Sequence, residues 1–243
     1  MKNKPNEIQI NSTTLQEYAD MMEKGEKFSY TRWGDGEWGC VFGADGQNVD
    51  KHKYFPEMAT SLRAALKNDK GYRKATWPYT APMLNNIKPQ VEGYLDEHKL
   101  SKDWYDARVW EDSCLDNTIE IFIRQLEKMN TVFITGENKK NIPIRHVGFI
   151  TIPSVDCFLA KEDIKNAMRQ AVEKIDNPVF AFSASMATNV IVDEMYDEIG
   201  DKCWMIDFGS IWEPFVGNVT RSYHTLYPQV IMPRGTLKKI SDD

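Results

Sequence analysis

Val179-Phe-Ala-Phe-Ser-Ala-Ser-Met-Ala-Thr188, followed after one helix by Cys203-Trp-Met-Ile-Asp-Phe-Gly209, is the stretch whose reading decides the fold. Val179 to Phe182 is a short β-branched and aromatic run that stops at small residues, the pattern of a buried strand. The turn Ser183 to Thr188 leads into a helix expected from about Met186 to Ile199, with Gly200 just past its end. A second strand, Cys203 to Asp207, follows. Strand, small-residue turn, helix and strand form a βαβ unit, which places two parallel strands in one sheet.

Upstream the alternation repeats. Thr131 to Thr135 is a β-branched strand ended by Gly136, and His146 to Ile152 is another. Ile164, Met168, Ala171 and Ile175 give the helix between that strand and Val179. Asn117 and Glu120 are expected to cap a helix whose Ile119, Phe122, Ile123, Leu126 and Met129 follow the i, i+3, i+4, i+7 spacing. Nearer the start, Thr14 and Glu17 form a capping-box signal for a helix from Leu15 to about Lys24, and Phe28 to Arg32 reads as a strand. Met58, Leu62 and Leu66 define a helix that opens at Pro56. Gly71 to Thr80, bounded by Pro78 and Pro82, has room only for a short strand, and a helix is expected from about Pro89 to His98. Trp104 to Trp110 reads as a strand ending in Glu111-Asp112. The expected architecture is α/β: Rossmann-like, a mostly parallel sheet with helices on both faces, in one domain over residues 1–243 with 1–11 loosely held. Ligands in such sheets bind at the carboxyl ends of the strands.

Composition narrows the function classes. A net charge of −6 argues against a surface dominated by nucleic-acid binding, although a local basic groove such as Tyr72-Arg73-Lys74 would not show in that sum. Cys40, Cys114, Cys157 and Cys203 have no C-x-x-C spacing, and the start of the chain lacks an apolar signal region, so reduced thiols in a cytoplasm are expected. No stretch approaches the roughly 20 apolar residues of a membrane span. The histidines, at 52, 98, 146 and 224, lack metal-ligand spacing, which argues against a zinc enzyme. No Gly-x-Ser-x-Gly elbow supports a hydrolase.

The chemistry-bearing stretch is Phe28-Ser-Tyr-Thr-Arg-Trp-Gly-Asp-Gly-Glu-Trp-Gly39. Gly34 and Gly36 are expected to let the backbone turn through positive φ at the strand end, which presents Asp35 and Glu37 together. Two carboxylates so placed suit a hard cation such as Mn²⁺ or Mg²⁺ that shares its sphere with phosphates. An ordinary Gly-Asp-Gly turn is the competing account. Ser183, Ser185 and Thr188 supply hydroxyls and backbone N–H groups at a helix N-terminus, where an anion is favoured, or they are plain caps. Asp207 ends a strand of the same sheet and is a candidate donor contact or a structural carboxylate. Glu111 and Asp112 are candidates for a general base. Trp38, Trp77, Arg221 and His224 are candidates for acceptor binding, with packing or a solvated surface as the alternative. Loop 43–53 is expected over the site, and Arg234, Lys238 and Lys239 extend a basic C-terminal segment.

The Arg-Trp-Gly-Asp-Gly-Glu block resembles the Arg-aromatic-Gly-Asp-Gly-Glu block near the start of the GT-D fold glycosyltransferases, first catalogued as a bacterial domain of unknown function. The later Phe-Ala-Phe-Ser-Ala-Ser-Met-Ala-Thr, helix, Met-Ile-Asp-Phe-Gly order is similar to that family's second block. Where the family often shows Gly-Pro before the helix, this chain has Ser-Ala-Ser. The resemblance implies transfer of a hexose, glucose foremost, from a UDP-sugar to a glycan or to a hydroxymethylated base in DNA. It also implies metal binding at Asp35 and Glu37, and donor contacts from Arg32, Gly34 and Gly36. A nucleotide-binding module of the same fold without turnover is the alternative.

Overall fold

The computed structural model describes residues 7–77 and 85–227; Pro78, Tyr79, Pro82, Arg234, Lys238 and Lys239 lie outside the described residues. In chain order the elements are β1 (Gln9–Asn11), α1 (Leu15–Glu23), β2 (Ser29–Trp33), α2 (Asp35–Val41), α3 (Pro56–Lys67), β3 (Arg73–Thr76), α4 (Lys88–Glu97) and β4 (Asp103–Asp106). They continue with α5 (Val109–Asp116), α6 (Ile119–Lys128), β5 (Asn130–Gly136), β6 (Gly148–Ile152), α7 (Lys161–Lys174), β7 (Pro178–Phe182), α8 (Ala187–Ile199) and β8 (Trp204–Asp207). The strands form one eight-stranded sheet in the order β1-β4-β3-β2-β8-β7-β5-β6. Every pairing is parallel. The fold is therefore α/β and Rossmann-like, as expected.

Both faces of the sheet are covered, so the central strands carry apolar residues on both sides. All five residues of β7 and all four of β8 are buried. Phe180, Phe182, Val132, Ile134 and Met205 point to the face covered by α2, α3, α4, α7 and α8. Val179, Ala181, Phe133, Trp204 and Ile206 point to the face covered by α1, α5, α6 and the segment after β8. The expected capping box opens α1: Thr14 Oγ1 accepts from the Glu17 N–H at 3.2 Å, and Glu17 Oε2 accepts from the Thr14 N–H at 2.6 Å. In α6 the stripe Ile119, Phe122, Ile123 and Leu126 is fully buried, as its spacing predicts.

Three local expectations are corrected. Gln9–Asn11 is not loosely held but forms edge strand β1 beside β4. The strand expected over Trp104 to Trp110 ends at Asp106, whose Oδ1 accepts from the Arg108 N–H at 2.8 Å and turns the chain into α5. Glu111 and Asp112 thus lie in the first turn of a helix, not at a strand end. Asn117 does not cap α6; it sits at φ 67 after α5, and Thr118 is the cap residue. No described helix is long and apolar enough to cross a membrane. The four cysteines are buried free thiols.

Candidate functional site

Because the strands are parallel, their carboxyl ends share one edge, and the β2–β8 seam joins the two halves of the chain there. β2 runs straight into α2 at this seam. Asp35, Gly36 and Glu37 form the first helical turn rather than a loop, and Gly34 is its cap at φ −106. Gly34 and Gly36 are thus not needed for positive φ, contrary to expectation. A Cβ on Gly34 would lie 3.4 Å from Trp77 Nε1, and one on Gly36 would lie 3.5 Å from Asn48 Cβ and 3.7 Å from Met186 Sδ, so these neighbours pack in ordinary contact around the turn. Asp35 is exposed and Glu37 half-buried. Glu37 Oε2 accepts from the Gly34 N–H at 2.8 Å, which closes the helix end. Burial pushes the Glu37 carboxyl up to about 7; the Gly34 N–H and its own N–H oppose this, while Asp207 and Asp35 add to it.

Beneath this turn Arg32 joins two carboxylates. Its Nη1 donates to Glu111 Oε1 at 2.8 Å, and its Nε lies 3.8 Å from Asp207 Oδ2. The three side chains are only 14%, 5% and 7% exposed, so this is an internal cluster and not a surface pair. Asp207 is held further by the Gly209 N–H at 2.9 Å and the Arg32 N–H at 3.3 Å. Burial raises Asp207 and pushes Glu111 up to about 7, with Arg32 the main opposing influence on both. Gly209, which the sequence reading missed, is the seat of the cluster. It sits at φ +56, and a Cβ there would fall 1.6 Å from Arg32 Nη2. The signal was present as Asp-Phe-Gly at a strand end, but only the fold shows what approaches it.

The small-residue turn after β7 lies against the same seam. Asn189 Nδ2 donates to the Arg32 carbonyl at 2.8 Å, tying the start of α8 to the end of β2. Ser185 adopts φ 52, and its hydroxyl accepts from Asn48 Nδ2 at 2.8 Å. Ser183 Oγ, Thr188 Oγ1 and Asn189 Oδ1 are buried without hydrogen-bond partners. Loop 43–53 does reach this turn. It is tied down by Asn48 to Ser185, by the Lys53 N–H to Asp156 Oδ1 at 2.8 Å, and by Asp50 to Arg221. Asn48 was also missed, because nothing in the sequence pairs it with a residue 137 positions away.

Other candidates fall elsewhere. Asp112 pairs with Arg108 at 2.5 Å and is half exposed. Trp38 is fully buried among Trp33, Trp104, Phe42 and Tyr94, so it presents no face to an acceptor. His224 is also buried, stacked edgewise with Tyr223, and burial pushes it down to about 4. Arg221 is engaged with Asp50. Trp77 is half-buried at the end of β3, beside Gly34 and with the Arg32 guanidinium 6.0 Å over its ring.

No protein-family model matches the sequence, and no curated protein does. Among solved structures, the fold is similar to one described as the selenomethionine-substituted structure of domain of unknown function 1792. The TM-score is 0.60 at 14% identity, over 85% of this chain and 80% of that one. At this identity the likeness establishes the α/β fold.

Proposed function

We propose that the chain is a metal-dependent glycosyltransferase that moves a hexose, glucose foremost, from a UDP-sugar to a hydroxyl acceptor. One observation carries the reading: Asp35 and Glu37 just past the end of β2, the Ser183–Thr188 turn after β7 and Asp207 at the end of β8 lie on one sheet edge, where Asn189 ties the start of α8 to the Arg32 carbonyl. The fold shared with the solved domain of unknown function 1792 is the α/β scaffold that this reading requires. Asp35 and Glu37 are the residues that would hold Mn²⁺ or Mg²⁺. They fit such an ion: Asp35 is exposed, and of the Glu37 oxygens only Oε2 is used at the helix cap. Among the described residues no group of three or more His, Cys, Asp or Glu is set to hold a metal. The remaining ligands would therefore be diphosphate oxygens and water, the usual habit of Mg²⁺. When bound, the ion neutralises charge on the departing diphosphate. The N-terminus of α8 and the Ser185 hydroxyl favour the same phosphates through unpaired donors and the helix dipole.

The acceptor is a glycan or a hydroxymethylated DNA base. The local basic stretch that spoke for DNA turns inward: Arg73 stacks on Tyr18 and Tyr105, and Lys74 donates to the carbonyls of Leu66 and Asn68. A glycan is favoured for that reason. Incubation with UDP-, GDP- and TDP-sugars and Mn²⁺, with either acceptor, is expected to release nucleotide. Asp35→Asn with Glu37→Gln is expected to abolish release while the fold, followed by circular dichroism, persists. No release from any donor by the wild type would point instead to a nucleotide-binding module without turnover.

A further inference from the structure

We propose that Glu111 takes the proton of the acceptor hydroxyl, and that Arg32, seated on Gly209, is the positioning residue that holds Glu111 for this task. The inference rests on the glycosyl-transfer reading and adds to it the group that accepts the proton. In the step, the acceptor O–H bond breaks and its proton moves to Glu111 Oε2, making a carboxylic acid. The acceptor oxygen bonds to the anomeric carbon, and the bond from that carbon to phosphate breaks with its electron pair leaving on the nucleoside diphosphate.

The carboxylates at the edge are distinguished by what they already bind. Asp207 accepts from the Gly209 and Arg32 N–H groups, one on each oxygen. Asp112 is spent on Arg108, and Glu37 closes the cap of α2. Glu111 alone among these four offers a buried carboxylate oxygen, Oε2, with no hydrogen-bond partner, while Oε1 is fixed by Arg32 at 2.8 Å. An isolated buried carboxylate oxygen is costly, and such groups mark chemistry as well as strain. A base must also be aimed. Arg32 supplies the aim, since its guanidinium is seated against Gly209, in the space a Cβ would fill, and lies beside Asp207 as well. Arg32 lies three residues before Asp35 on a continuous chain, so the residue that holds the base and the metal turn share one strand end.

The groups facing Glu111 are Arg32 from β2, Arg108, Asp112 and Cys114 from its own helix, and Tyr223 and Tyr227 from the segment after β8. Of these, Arg32 is the opposite charge in hydrogen-bond contact, and its removal should make Glu111 harder to ionise.

The experiment measures hexosyl transfer from UDP-glucose with Mn²⁺ and an oligosaccharide acceptor across pH for wild type, E111Q and R32Q, with UDP–Mn²⁺ affinity by calorimetry on the same proteins. Wild-type transfer is expected to rise with pH through about 7. E111Q should lose that rise and about 10²–10⁴-fold in transfer, with UDP–Mn²⁺ affinity unchanged. R32Q should move the rise to higher pH by about 1–3 pH units, where a merely structural role would lower the rate at every pH without moving it. E111Q is nearly isosteric and decides the matter even if R32Q fails to fold. Transfer by E111Q close to wild type, or parallel loss of UDP affinity, overturns the inference and leaves the glycosyl-transfer reading standing. A wild type that turns over none of the UDP-, GDP- or TDP-sugars overturns both.

Discussion

One methyl group at position 209 would disturb the whole cluster around Arg32. Gly209 is at positive φ, and its missing Cβ is the space that the Arg32 guanidinium occupies. Gly209→Ala combines backbone strain with displacement of a buried charge from its two carboxylates, and is expected to cost about 1–3 kcal/mol or more. Chemical denaturation should show it, while Gly93→Ala, where an added Cβ meets nothing within 4 Å, should be neutral or better. Glu37 and Glu111 are both raised from 4.5 to about 7, so the folded chain keeps protons that the unfolded chain has released in that window. By linkage their contribution to stability falls as pH rises from about 4.5 to 7. His52 and His224 are lowered below 6.5, and so act oppositely, but only up to that pH. Lys74, lowered to about 8, enters above the window. The metal-free protein is therefore expected to melt at lower temperature at pH 8 than at pH 6.5, with part of that fall removed in Glu37→Gln. A melting temperature that climbs between these values would contradict the burial of these acids.

At the scale of elements, legibility followed periodicity. α6 was plain from its apolar stripe, and α1 from Thr14 and Glu17, because both signals are local. α2 was not, since Asp-Gly-Glu-Trp-Gly-Cys-Val contains two poor helix formers and no repeated spacing. It is helical because Trp38, Cys40 and Val41 all gain burial against α3 and α4 in that conformation. Tertiary packing overrides propensity there, and it turned an expected loop into a helix start. The aromatic run 104–110 misled in the opposite direction: its residues suit a strand, yet Asp106 bonds the backbone two residues on and ends it. Two substitutions separate these causes. Thr14→Ala removes a cap on the protein surface and should cost about 1 kcal/mol. Trp38→Ala empties a fully buried site and should cost about 3–5 kcal/mol, which agrees with packing rather than acceptor binding as the role of Trp38. For a chain of 243 residues this is roughly 2–4 °C in Tm for the first, with several times that for the second, measurable by differential scanning calorimetry.

For the whole molecule, the alternation of strands and helices was enough to expect a parallel sheet, because βαβ crossovers leave few topologies. What the alternation does not encode is the strand order. β2 and β8 pair only because the first four strands stack outward on one side and the last four on the other, so residues about 175 positions apart become neighbours, as Arg32 and Asp207 do. The separate pieces of the site were therefore readable as motifs, while their convergence, and the roles of Gly209 and Asn48, were not. This arrangement yields a test that does not depend on turnover. The carboxylate turn belongs to the first half of the chain and the Ser185 turn to the second, so a nucleoside diphosphate with its cation would brace the seam from both sides. Anything that binds only the native state stabilises it by RT ln(1 + [L]/Kd), about 2.7 kcal/mol at a hundredfold excess over Kd. UDP with Mn²⁺ is expected to raise Tm by roughly 5–10 °C on that basis. Asp35→Asn with Glu37→Gln should lose the part of the shift that requires Mn²⁺, and Ser185→Ala should weaken the response to UDP alone. If Mn²⁺ adds nothing to the UDP shift in the wild type, the two acids serve α2 as helix-start residues, and the diphosphate is held by the α8 end of the seam without them.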